Sequence, residues 1–223
     1  MLAVTRSMKL LSINVGLPRE IEWKGKVVRT SIFKAPVTGR VRVAKLNVEG
    51  DQQSDLTVHG GPDKAVYAYP SEHFAFWRTE FPAMDLAWGV FGENFTTFGL
   101  FEETLHIGDR LRIGSAEFVV TQPRMPCFKL GIRFNRPDIV KRFLQSGRTG
   151  FYFAVLKEGE VAAGDQIELL EKDEHNIPVA DVVNLYRGDA ANQDLLSRVS
   201  ELPSLPANWR EYFRKRLWNP DNR

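Results

Sequence analysis

Residues 104–129 read TLHIGDRLRIGSAEFVVTQPRMPCFK. Short apolar runs at 104–107, 109–114 and 116–121, the first two separated by the turn Gly108-Asp109, predict three short strands. The rhythm then stops. Pro123 and Pro126 restrict the backbone and remove two N–H donors, so 123–129 is predicted to be irregular. The single cysteine of the chain, Cys127, lies in this irregular piece between Arg124 and Lys129.

Working outward, the same strand rhythm recurs. Residues 8–15 (MKLLSINV), 26–34 and 41–48 are predicted strands, and residues 1–7 an extended lead-in. A loop runs from Gly50 to about Lys64. Pro70-Ser71 opens a helix over 71–80, in which Phe74, Phe76 and Trp77 are most simply core. The glycine- and aromatic-rich 89–99 reads as an irregular loop. A helix spans 137–145, with proline at its first turn. Residues 151–157 and 161–170 are predicted to form a hairpin around Glu158-Gly159, bent at Gly164-Asp165. After about residue 172 the apolar period changes to a helical one. Three helices are expected, over 178–186, 190–201 and 206–217, the first stopped by Gly188. The fold class is therefore mainly β with α: residues 8–172 form a closed or half-closed barrel, and 175–218 a small helical domain.

The chain has 223 residues, 43% apolar, 26% charged and 11% aromatic, enough for a packed core. No apolar run nears the ~20 residues that a membrane helix needs, and the start lacks a signal-peptide pattern. A cytoplasmic protein without membrane partners is expected. One cysteine excludes an internal disulfide, and the four histidines (His59, His73, His106, His175) lack zinc-ligand spacing. The net charge of +2 gives no general pull toward nucleic acid. Between Arg124 and Arg148, however, seven basic residues stand against Asp138 alone, a local positive field suited to an anion.

Three clusters could carry chemistry. A lone cysteine is usually a small buried hydrophobe, but flanking cations favour the thiolate, the form that binds metals. Asp55 to Lys64 holds the pair Gly60-Gly61, a turn whose amides could form an anion nest beside Lys64; an ordinary solvent turn fits the spacing equally. Asn94 in GENF could donate to a ligand or cap its own turn. Thr30, Ser31 and Lys34 lie on or beside a strand, where they could bind phosphate or form a polar face.

Four stretches in this order, GDQQSDLTVHGGPDKAVYAYP (50–70), FGENFTTFGL (91–100), HIGDRLRIGSAEFVVTQPRMPCFKL (106–130) and GRTGFYFAVLKEGEVAAGD (147–165), resemble the MOSC family, named for the C-terminal domain of molybdenum cofactor sulfurases. The helical tail resembles that of its YiiM-type members, the hydroxylaminopurine-resistance proteins. The resemblance implies a β-barrel core with a three-helix tail and a pterin-based molybdenum cofactor. Cys127 falls where the family places the thiolate ligand to molybdenum. The HGG-x2-K motif falls on His59, Gly60, Gly61 and Lys64, GEN on Asn94, and PR-x-PC on Arg124, all implied to hold the pterin and its phosphate. Thr30, Ser31, Lys34, Tyr67, Lys129 and Arg148 join them by pattern and charge. The implied reaction removes the oxygen of N-hydroxylated bases or hydroxylamines. Two electrons and two protons release it as water, with electrons from a separate flavoprotein. His59 is a candidate proton donor or a structural histidine of its loop.

The resemblance also brings a domain-level association with pyridoxal phosphate, and with it an alternative, a sulfur carrier bearing a persulfide on Cys127. The chain lacks an aminotransferase-like domain to generate that sulfur. A nucleic-acid module using the basic 124–148 stretch is a third reading, disfavoured by the charge balance. A homodimer is the default assembly.

Overall fold

The computed structural model describes residues 7–54, 60–188 and 192–218. Twelve strands are present among them: β1 (Lys9–Val15), β2 (Arg19–Trp23), β3 (Lys26–Thr30), β4 (Ala35–Val37), β5 (Arg40–Val43), β6 (Val66–Pro70), β7 (Phe95–Phe98), β8 (Arg110–Ile113), β9 (Ala116–Pro123), β10 (Phe151–Lys157), β11 (Gly159–Ala162) and β12 (Ile167–Glu171). The helices are α1 (His73–Glu80), α2 (Phe128–Phe134), α3 (Ile139–Ser146), α4 (Val179–Arg187), α5 (Gln193–Glu201) and α6 (Ala207–Trp218).

Eight strands form one sheet in the order β12-β8-β9-β10-β6-β7-β1-β4, and β11-β5 and β2-β3 form separate pairs. The expected barrel is thus half closed. No continuous ladder joins the ends, but the start of β1 turns onto the start of β12 through an isolated bridge, Lys9–Gln166. The Leu10 N–H donates to the Asp165 carbonyl at 2.9 Å, and the Ile167 N–H to the Met8 carbonyl at 2.8 Å. Such contacts satisfy backbone groups that a free sheet edge would expose.

Several local expectations change. The predicted strand 26–34 ends at Thr30, and 41–48 shortens to β5, with Val48 returning to Val43 through a bridge. Residues 104–107 form a turn with one bridge, His106–Pro178, instead of a strand. The 151–170 hairpin does not form. β10 lies between β9 and β6, β11 pairs with β5, and β12 pairs with β8. β7 occupies the last part of the expected 89–99 loop and runs parallel to β6. Every residue of β6 is buried. A strand covered on both faces shows no alternation, so VYAYP carries no period-two signal. The 123–129 segment is irregular only over 124–127, since β9 runs through Pro123 and α2 starts at Phe128.

The helical tail follows its expectation closely. Gly188 takes a left-handed φ of 82° and ends α4, a conformation that costs a glycine little. The Asn192 side chain caps α5 by accepting from the Leu195 N–H at 3.0 Å. Residues 190–191 of that expected helix lie outside the described residues.

Two apolar clusters hold the molecule together. The inner one runs from the sheet (Phe95, Phe118, Phe153) into the tail (Val182, Leu196, Trp209, Phe213) without a break. The outer one packs α1, α2 and α3 on β6 through Tyr69, Phe74, Trp77, Phe91 and Phe143. Phe74 and Trp77 are core as expected, at roughly 2–3 kcal/mol for a buried ring of this size. Phe76 is half-buried beneath Arg148.

Candidate functional site

The loop between β9 and α2 presents Cys127 with an extended backbone (φ −122°, ψ 172°), half-buried. Proline at 126 disfavours a helical conformation for Met125. β9 is held in the sheet through Pro123, opposite Phe151, and the Arg124 N–H donates to the Gly150 carbonyl at 3.2 Å. Gly150 has a φ of +64°, and a Cβ there would stand 2.4 Å from the Ala68 carbonyl oxygen. Only glycine lets this turn approach β6 so closely.

Cys127 borders a cavity whose wall collects residues far apart in sequence. Thr30, Ser31 and Lys34 come from the end of β3 and the link to β4, Lys64 and Tyr67 from the β6 region, Asn94 from the start of β7, and Arg124 and Lys129 from either side of the cysteine. These nine sequence-predicted residues, counting Cys127, meet in one place. Gly60 and Gly61 do not line it. Gly61 has a φ of 95° and its carbonyl accepts from the Lys64 N–H at 3.1 Å, so it sets the short turn that delivers Lys64. Arg148 is absent from the wall; its guanidinium lies 4.1 Å from the Phe76 ring centre and donates to the Ser146 carbonyl. His59 lies outside the described residues.

The basic stretch does not form one patch. Arg136 and Arg142 pair with Asp138, Arg142 also with Glu80, and Arg133 stands over Phe33. Of the seven cations only Arg124 and Lys129 reach the cavity.

Arg124 is 5% exposed and lies over the rings of Tyr67 and Phe143 at 5.3 and 5.0 Å. A desolvated guanidinium on aromatic faces gains about 2 kcal/mol. Burial pulls its pKa down, but Tyr67, Tyr152 and Cys127 push harder and the net shift is upward. The guanidinium is therefore a fixed positive charge beside the thiol. One of its terminal nitrogens, Nη1, and the Ser31 hydroxyl are buried without a hydrogen-bond partner among the described residues. Buried polar groups are seldom left so. Both residues border the cavity, so an acceptor bound there would lie beside two donors that have no partner among the described residues.

Other predicted residues are committed to the protein itself. The Asn94 amide donates to Asp51 Oδ2 at 2.9 Å and to the Asn14 carbonyl at 3.3 Å, and accepts from the Tyr67 N–H at 3.2 Å. It ties three segments together, beyond either role its sequence suggests. The Tyr67 phenol donates to the Thr149 carbonyl at 2.9 Å, and burial lifts its pKa well above the ordinary range, so it stays neutral. Thr30 Oγ1 accepts from the Ile32 N–H. Lys129 Nζ donates to Ser54 Oγ at 3.2 Å. Asp51, Ser54 and Tyr152 are wall residues that sequence reasoning missed. All three stand within the motif stretches, but an acid buried in an anion site has no sequence signature. Asp51 is paired with Lys34 and takes the Gly16 N–H at 2.8 Å.

Behind the wall, Glu93 accepts from the Gly89 and Phe91 amides and from Thr96 Oγ1. Burial raises its pKa from 4.5 to about 7 against those hydrogen bonds. The folded state thus keeps a proton over a window in which the unfolded chain has lost it. Its contribution to stability is full below about pH 4.5 and is lost as pH rises through about 7. Urea midpoints across that window should fall with pH. Glu93→Gln should lower stability and flatten the slope; an unchanged slope would show that Glu93 titrates normally.

Among the described residues no three His, Cys, Asp or Glu side chains converge as a metal site, and none of the described helices is long and apolar enough to cross a membrane.

Known proteins resemble the chain over most of its length. A family model described as MOSC domain matches residues 55–168, and one described as YiiM-like, 3-alpha helix domain matches residues 177–218. The protein YflK of Bacillus subtilis (strain 168) is 43% identical over 207 residues, 93% of either chain. A protein of Gibberella moniliformis (strain M3125 / FGSC 7600) named reductase is 33% identical over 87% of this chain, which spans 35% of that longer protein. The crystal structure of YiiM from Geobacillus stearothermophilus superposes with a TM-score of 0.79 at 37% identity, covering 94% of this chain and 99% of that one.

Proposed function

Because the chain belongs to the MOSC-domain family, with the YiiM-like helical domain behind it, we propose that it is a molybdenum-cofactor-dependent reductase of N-hydroxylated compounds served by a separate flavoprotein. MOSC domains are associated in general with molybdenum cofactor binding, and the fungal relative's name supports redox chemistry. The observation that carries the reading is that Ser31 and Arg124, each with a buried donor that has no partner among the described residues, border the same cavity as Cys127. Buried donors without acceptors ask for an anion, and a phosphate-bearing pterin is one.

The residues fit that group. Among the described wall residues Lys34, Lys64, Arg124 and Lys129 give four cations beside one acid, Asp51. Thiolate is a soft ligand suited to molybdenum, and Cys127 offers the thiol. When bound, the cofactor supplies two-electron redox chemistry at the N–O bond. The chain's own part is to place and charge the site. Arg124 and Ser31 orient the anionic portion, and the aromatic packing under Arg124 excludes water from that guanidinium. Lys64 and Tyr152 border Cys127 on both of its open sides and hold protons at Nζ and Oη. Burial lowers the Lys64 pKa, which makes its ammonium a readier donor to a departing oxygen.

Protein made in a molybdenum-replete host should carry near-stoichiometric molybdenum by elemental analysis. With reduced viologen as electron donor it should convert N-hydroxylated compounds to the amines. No metal in a host shown to load other molybdenum enzymes would overturn the reading and favour a persulfide carrier on Cys127.

A further inference from the structure

Cys127 borders two openings. One leads toward the tail and is walled by Tyr186, Trp209 and Tyr212. The other is the cofactor cavity, whose wall includes Thr30 and Ser31. Strand β3 runs straight into that wall, and with β2 it makes a hairpin that joins no other strand. A lone two-stranded hairpin is marginal in water unless something packs on it.

Both apolar clusters leave this hairpin out. Ile21, Trp23 and Val28 are half-buried yet belong to neither cluster, and Val27 is 69% exposed. The base of the hairpin is pinned. The Arg19 guanidinium lies 3.4 Å from the Phe33 ring centre, and that of Arg133 on α2 lies 5.2 Å from the same centre.

The hairpin is also a positive arm. It carries Arg19, Lys24, Lys26 and Arg29 against Glu20 and Glu22. Among the described residues none of these four cations is ion-paired, whereas Arg40, Arg42, Arg110 and Arg112 on other strands each face a carboxylate. Arg133 adds a fifth cation, its Nε buried without a partner among the described residues. Burial, and then the like charge of Arg19, draw the Arg133 pKa down, a repulsion that an acidic surface would relieve. α2 begins at the residue after Cys127, so Arg133 stands about 9 Å along the helix axis from the cysteine. Between them Phe128 is 55% exposed. Arginines and aromatics are the residues that protein interfaces favour.

We propose that the β2-β3 hairpin and Arg133 form the docking surface for the electron donor, and that this donor is a protein with an acidic face around its flavin. That the partner brings electrons rests on the reductase reading above; that an acidic protein docks here does not. Electron-transfer partners meet through small faces, which suits an arm of this size. Complementary charge speeds such encounters. A donor seated on the arm stands beside the cavity wall at Thr30 and Ser31 and beside the helix that follows Cys127.

Flavodoxin, a small acidic flavoprotein, is the probe. Its oxidised form is titrated calorimetrically into metal-loaded and metal-free protein. Binding should weaken at least about tenfold between about 50 and about 300 mM salt. Lys24→Gln, Lys26→Gln and Arg29→Gln together should weaken it by more than about tenfold. Arg110→Gln, Arg112→Gln and Lys215→Gln together remove the same charge elsewhere and should change it by less than about twofold. Matched melting temperatures guard against misfolding. In turnover of an N-hydroxylated compound, the hairpin variant should lose about tenfold in kcat/KM for reduced flavodoxin and keep the parent rate with reduced viologen. No flavodoxin binding, or equal losses in the two variants, would overturn the docking surface, and viologen turnover beside it would leave the reductase standing. Salt-sensitive binding lost only in the hairpin variant, without turnover from either donor, would uphold the surface and refute the reductase. A parent dimer that the hairpin variant breaks into monomers, read by analytical ultracentrifugation, would assign the arm to a second copy and overturn the donor's place on it.

Discussion

Cys127→Ser is expected to reduce bound molybdenum to under about a tenth of the parent level and to slow reduction of N-hydroxylated compounds by more than about a hundredfold. The change is nearly isosteric. Cys127 sits in a loop between β9 and α2 and caps no helix with its side chain, so the melting temperature of the metal-free protein should hardly move. What the change removes is the soft anionic sulfur. A serine hydroxyl ionises far less readily at neutral pH, and its hard oxygen is a poor match for a metal already held by sulfur. Cys127 borders both the orphaned donors of one cavity and the aromatic wall of the other, so its loss should act on metal retention and turnover together. The measurement is elemental analysis beside viologen-coupled turnover. Full activity in the serine variant would show that the thiol is not the ligand.

The second large effect concerns stability and does not depend on the proposed cofactor. Asp51→Ala should destabilise the fold by about 3–5 kcal/mol, the scale for breaking a buried ion pair. Asp51 is 6% exposed. Its carboxylate pairs with Lys34, accepts the Gly16 N–H and takes the Asn94 amide, so it joins three segments of the wall. Removing it leaves Lys34 buried without its counter-charge. Burial already pulls the Lys34 pKa down, with Asp51 the main influence holding it up, so the loss of Asp51 should push it lower still. At about 2–4 °C per kcal/mol for a chain of this size, the melting temperature should drop by on the order of 10 °C. Adding Lys34→Met should recover part of the loss, because the uncompensated charge goes with it. A double-mutant cycle by urea unfolding measures this coupling. A loss below about 1 kcal/mol, or strict additivity, would mean that water reaches the pair and screens it.

Much of the molecule is legible in its residues alone. The three tail helices carry long apolar periods and an explicit stop residue, Gly188, and local signals of that kind survive packing. The strands with one wet face, such as β8 with its exposed arginines, alternate as a half-buried strand must. The cysteine loop is set by two prolines that no packing can undo. Ordered motif stretches point to the family and hold six of the nine residues that meet; Thr30, Ser31 and Lys34 come from strand pattern and charge.

The remainder depends on neighbours that sequence spacing does not reveal. β6 and β7 form a parallel pair, so neither is recognisable without the other, and the 151–170 hairpin gives way to partners more than a hundred residues distant in the case of β5 and β11. Arg148 and Arg124 carry the same charge on the same stretch, yet one covers Phe76 and the other enters the cavity. Asn94 reads as a turn residue and serves as a brace between segments. By itself the sequence determined the helical tail, the family and the irregular loop that carries Cys127, because these depend on local backbone limits and residue type. Which polar groups pair, which stay orphaned, and where the tail's aromatics face the thiol were decided by tertiary packing, because burial and hydrogen-bond satisfaction depend on residues brought close only by the fold.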